Sequence, residues 1–143
     1  MCTALCQGGG GYAMELDAKH QVLYAIYAEY QKDLPDMQAA ITFRNLDMDC
    51  RVFKAAVEKL QNEGLIQGAA ILRGDGKILY INVKDMLPTR TGIEYVEAKM
   101  AIDRGMTGRQ KVAALKEKFG KLGWETLIDV AAKVLCEMGK QAV

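Results

Sequence analysis

The sequence predicts an α+β fold, mostly helical, on three observations. Several stretches repeat apolar residues at i, i+3, i+4 and i+7, the spacing that gives a helix one apolar face. Two apolar runs flank Gly74-Asp75-Gly76, a strong local signal for a β-hairpin. Half of the 143 residues are hydrophobic, enough to bury a core in about one domain's length of chain.

The elements follow in order. Asp17 is a good N-cap, and Leu23, Ile26, Tyr27 and Tyr30 form the apolar stripe of a first, amphipathic helix. It stops before Leu34-Pro35. Ile41 to Leu46 is short and reads as one helical turn. Asp47 and Asp49 offer caps for the clearest helix, with Val52, Phe53, Ala56, Val57 and Leu60 on its apolar side. Arg51, Lys54, Ala55, Glu58 and Asn62 form the opposite face, and Gly64 ends the helix as a C′ glycine. The hairpin spans Leu65 to Val83. Pro88 and Thr89 open a further helix with Ile93, Val96 and Met100 on its buried side. Val112, Leu115, Phe119 and Leu122 mark another, interrupted at Gly120 and Gly123. Trp124, Leu127, Ile128, Ala131, Leu135 and Met138 mark the last.

Helix, short helix, helix, hairpin, helix is the plan of a winged helix: a helix-turn-helix plus a β-hairpin wing, here with two added C-terminal helices. The expected division is a flexible tail over 1–13, a winged-helix domain over 14–102 and a helical extension over 103–143. The tail carries four successive glycines, Gly8 to Gly11. Its Gly-Gly-Tyr-Ala before Met14 reads like a translated ribosome-binding site, so Met14 is the expected natural start.

The residues Phe53-x-x-Ala56-Val57-x-x-Leu60-x-x-Glu63-Gly64-x-Ile66-x-Gly68, with Gly92-x-x-Tyr95 after the wing, resemble the small winged-helix proteins of the YjcQ type from bacterial and prophage genomes. The resemblance covers about Leu16 to Met100. It implies the fold and says little about function, because winged helices also serve as protein-interaction modules.

The third helix would then be the recognition helix. Arg51 and Lys54 lie near its start, where a recognition helix meets base edges. Glu58 is placed to accept from a cytosine amino group, and Asn62 lies near the helix end. Arg44 and Asn45 are expected to touch phosphates from the second helix, and Arg73 and Lys77 at the wing tip to reach a minor groove or phosphate. Charge weighs against strong binding. The third helix from Asp49 to Glu63 sums to zero, and Glu15 to Asp36 carries two positive and five negative charges. The whole chain is only +1, which excludes a polybasic coat. The positive charge concentrates at 103–123, including Arg104, Arg109, Lys111 and Lys116, net +4. This segment is expected to fold back as an accessory phosphate-binding helix or to be the solvated side of a dimerisation helix, with Trp124 adding apolar partner contact, or else to pack back on its own domain.

Catalysis is not expected. The lone His20 reads as a surface residue, and no G-x-S-x-G, P-loop or dinucleotide pattern occurs. No cofactor is expected. Cys2 and Cys6 lack a second pair of ligands for zinc, and Cys50 and Cys136 read as buried thiols in a reducing cytoplasm. Tyr24 and Tyr27 are either plain core or liners of a ligand pocket. The functional expectation is a cytoplasmic, dimeric winged-helix transcriptional regulator of double-stranded DNA, with no membrane contact. The alternative is a winged-helix protein-protein interaction module without DNA binding.

Overall fold

The computed structural model describes residues 16–141; Cys2, Cys6, the glycine run and Met14 lie outside that range. Its elements are α1 (Ala18–Tyr30), α2 (Met37–Ala40), α3 (Cys50–Asn62), β1 (Ile66–Gln67), β2 (Ala70–Gly74), β3 (Lys77–Asn82), β4 (Leu87–Pro88), α4 (Arg90–Met100), α5 (Gly108–Leu122) and α6 (Glu125–Gln141). The class is α+β and mostly helical. The order α1, α2, α3, hairpin, α4 is a winged-helix arrangement.

Asp17 caps α1 as expected, its carboxylate accepting from the His20 N–H at 2.8 Å. The helix is not amphipathic, however. Every residue from Val22 to Glu29 is buried, and Tyr30, assigned to the apolar stripe, emerges at 37% exposed. The reason is its place in the fold. α1 is packed by α3, α4, α5 and α6, and a helix covered on all sides needs apolar residues all round. Tyr24 and Tyr27 are therefore core.

The short helical turn is at Met37–Ala40, not at 41–46. Asp36, just after Pro35, caps it by accepting from the Ala39 N–H at 3.1 Å. Ile41 then leaves helical geometry, and 42–48 forms a turn closed by Leu46 N–H to the Thr42 carbonyl and Met48 N–H to the Phe43 carbonyl.

The wing forms where the turn chemistry predicts it. Asp75 and Gly76 both take positive φ, 53° and 74°, the pair a tight two-residue hairpin loop needs. β2 pairs antiparallel with β3, Ile71 opposite Ile81 and Leu72 opposite Tyr80, with an irregularity after Leu72. β1 pairs with β4 at the base. α4 begins hard against that base: a Cβ on Gly92 would lie 2.0 Å from the Leu65 carbonyl oxygen.

α5 and α6 fold back on α1 and share one core with it, through Val112, Leu115, Phe119, Leu127, Ala131 and Val134. α5 opens with a Thr107–Gln110 capping box. It runs through Gly120, where an interruption was expected; a single mid-helix glycine costs about 1 kcal/mol, too little to break a packed helix. The break comes at Gly123, φ 75°. The thiols differ from expectation: Cys50 is half-buried and Cys136 exposed, because the buried face of α6 runs through Leu127, Ala131, Val134 and Met138.

Candidate nucleic-acid interface

α3 is set by its ends and its apolar stripe. Asp49 caps it, accepting from the Arg51 N–H at 2.7 Å. Phe53, Ala56, Val57 and Leu60 bury one face, and Glu63-Gly64 ends it. Val52, expected in that stripe, lies at its margin and is 44% exposed.

The wing is fastened along one flank of this helix. Gln61 donates from Nε2 to the Ala69 carbonyl at 3.0 Å and accepts from the Ala69 N–H at 2.9 Å. Lys54 Nζ donates to the Leu79 carbonyl at 3.2 Å, and Glu58 pairs with Arg73. Lys54, Glu58 and Gln61 stand at i, i+4 and i+7, one polar row beside the apolar stripe. Three residues expected to meet DNA thus join helix to wing instead of standing free. Gln61 was missed by sequence reasoning, although that row was its signal.

The outward face keeps Arg51, Lys59 and Asn62 exposed, with Lys77 at the wing turn. The Arg51 side chain is 90% exposed and pairs with Asp49 at 3.3 Å. The Arg51 guanidinium in turn holds the Asp49 carboxyl below its ordinary range. Arg44 and Asn45 sit on the turn between α2 and α3, not on a helix. Arg44 is exposed and its guanidinium lies over the Phe43 ring, 5.4 Å from the centroid. Asn45 Nδ2 donates to the Ala39 and Ala40 carbonyls at 3.1 and 2.9 Å, so its amide closes the end of α2.

The basic C-terminal segment divides. Arg104, Arg109 and Lys116 are exposed. Lys111 instead turns inward and pairs with Glu97 at 2.7 Å, and the Tyr27 hydroxyl donates to the same Glu97 oxygen at 2.7 Å. Burial alone would raise the Glu97 pKa; the hydrogen bonds from Lys111 and Tyr27 outweigh it, and the carboxyl is held below its ordinary value. Burial, with that hydrogen bond, drives the Tyr27 hydroxyl pKa upward. Trp124 is half-buried and stacks on Tyr24, centroids 5.9 Å apart at 13°, with Phe119 beside both. It packs α5 and α6 against α1.

His20 is not a free surface residue. Its Nδ1 meets Asp17 Oδ1 at 2.7 Å and its Nε2 meets the Tyr95 hydroxyl at 2.6 Å, tying α1 to α4. Among the described residues no three His, Cys, Asp or Glu side chains converge to hold a metal, and no helix is long and apolar enough to cross a membrane.

Comparison with known proteins adds one finding. The family model described as YjcQ protein matches residues 20–112, which runs from α1 through the start of α5. No curated protein and no solved structure matches the chain.

Proposed function

The chain belongs to the YjcQ family, and we propose that it is a winged-helix DNA-binding protein acting in transcriptional regulation. The observation that carries this reading is the joint surface of α3 and the wing. The Lys54–Leu79 and Glu58–Arg73 links fix the hairpin against α3, so that the helix and its wing form one preorganised unit. Arg51, Lys59 and Asn62 are the groups of α3 left open to a duplex, with Lys77 on the wing turn. The modest charge of this surface fits phosphate positioning by a few cations, and therefore weak non-specific binding. The testing substitution is Arg51→Glu with Lys59→Glu. Retardation of a mixed-sequence duplex on a native gel should disappear while the helical circular dichroism persists. Unchanged retardation would overturn the assignment.

A second reading, contact with protein, is favoured by the hairpin. Leu72, Leu79 and Tyr80 are 58%, 56% and 55% exposed, and Leu72 and Tyr80 are cross-strand neighbours. Exposed apolar side chains clustered on one element mark interaction surfaces. A second copy of the chain is the occupant in this reading, and the contact requires no DNA. Light scattering of the wild type and of Leu72→Ser/Tyr80→Ser measures it: a dimer that the double variant dissociates supports the contact, and a monomeric wild type removes it.

A further inference from the structure

Between α1, the 31–45 segment and α6 lies a cavity of about 490 Å³. That volume falls within the range of small-molecule sites, about 300–1,000 Å³. Ala25, Ile41, Val130 and Val134 supply apolar wall. Four carboxylates, Glu29, Asp36, Asp129 and Glu137, line it against two ammonium groups, Lys32 and Lys133.

Glu29 is the informative residue. It is 1% exposed, on the last turn of α1. Its Oε2 accepts from Lys32 Nζ at 2.9 Å and from the Asp36 N–H at 2.8 Å. Among the described residues its Oε1 has no hydrogen-bond partner. A buried carboxylate oxygen without a donor carries a desolvation penalty that a ligand's N–H would relieve. Lys32 does not relieve it, being engaged with Oε2 and with Glu137. Burial would lower the Lys32 pKa, but Glu137 and Glu29 raise it overall, so the ammonium stays charged and the surplus of carboxylates over lysines stands. These carboxylates are dispersed around the wall and do not converge as metal ligands would.

We propose that this cavity binds a small organic cation, an ammonium or amidinium on a compact apolar body, with Glu29 Oε1 accepting from the cationic N–H. The apolar wall receives the body and the surplus negative charge selects the head group. The site lies off α3 and the wing, though Asn45 of the α2–α3 turn lines it, and its occupancy is measured separately from DNA binding.

The test is a titration of the ¹⁵N-labelled full chain with three probes of one shape: benzylamine, benzyl alcohol and benzoate. Saturable shifts at the Ala25, Ala40 and Val130 amides are expected with benzylamine, at least tenfold tighter than with either other probe. Glu29→Gln should lose that tenfold preference. Val130→Trp leaves Glu29 intact and fills the wall, so it should abolish binding even if Glu29→Gln does not fold. The absence of saturable shifts with benzylamine, equal binding of the alcohol or benzoate, or full affinity in Val130→Trp would each overturn the site.

Discussion

Lys111→Met removes the cation that faces Glu97 across the junction of α4 and α5. The two side chains are only 13% and 10% exposed, and they meet at 2.7 Å. Removing one partner of a buried pair typically costs about 3–5 kcal/mol, because the remaining charge is left desolvated. The lower end applies here. The Tyr27 hydroxyl still donates to Glu97, and the Arg104 charge still acts on it. The expected loss is therefore about 3 kcal/mol, a large share of the 5–15 kcal/mol that typically holds a domain together. Urea unfolding followed by Trp124 fluorescence measures it, since that indole lies in the packed aromatic cluster. Glu97→Gln/Lys111→Met should recover most of the loss, because no charge is then left buried. The sign with pH is fixed as well. In the wild type the Glu97 pKa is depressed, so its stabilisation is present above the ordinary carboxylate value of 4.5 and fades as pH falls through the folded value. In Lys111→Met burial acts with less opposition, and protonating Glu97 relieves the folded state. The gap between wild type and variant should thus narrow below pH about 4. A loss under about 0.5 kcal/mol, or a gap that does not change with pH, would show that Lys111 does not stabilise the Glu97 charge.

Three further outcomes are expected. Gly92→Ala forces a Cβ to 2.0 Å from the Leu65 carbonyl oxygen, so α4 must shift off the hairpin base; thermal unfolding should show a loss of about 1–3 kcal/mol or more, and an unchanged midpoint would contradict that contact. Leu72→Ser/Tyr80→Ser changes exposed residues and should move the stability of the monomer by no more than about 0.5 kcal/mol in the same assay at a concentration where the chain is monomeric, whereas a larger loss there would mean these side chains belong to the core. Gln61→Ala removes both side-chain hydrogen bonds to Ala69 and should speed amide exchange in the hairpin at 69–83 more than in α5; equal rates in wild type and variant would show that the wing is held by other contacts.

Much of the fold is legible in the sequence because its local signals agree with its tertiary ones. The Asp17 and Asp49 caps, the Gly64 stop and the Asp75-Gly76 turn each act within a few residues, and each is where the sequence places it. The misreadings share a cause, which is packing by elements distant in sequence. α1 looks amphipathic if Leu23, Ile26 and Tyr27 are read alone, but α5 and α6, far along the chain, return to cover the other side. Trp124 and Lys111 look like outward contacts for the same reason. Their partners Tyr24 and Glu97 lie on α1 and α4, and no spacing rule connects them. Of the candidate interface, the exposure of Arg51, Asn62 and Lys77 follows from helix phase and turn position. The diversion of Lys54, Glu58 and Arg73 into the helix–wing junction depends on where the hairpin lies, which only the structure provides.

Contact of α3 and the wing with duplex DNA is measured by fluorescence anisotropy of a labelled mixed-sequence duplex titrated with the wild-type chain at low and at physiological salt. Binding at low salt that weakens steeply as salt rises is the predicted result, with the log–log slope reduced by about one when Lys77 is replaced by alanine. No binding at low salt, or an affinity indifferent to salt, would contradict the account and leave the exposed hairpin face as the functional surface.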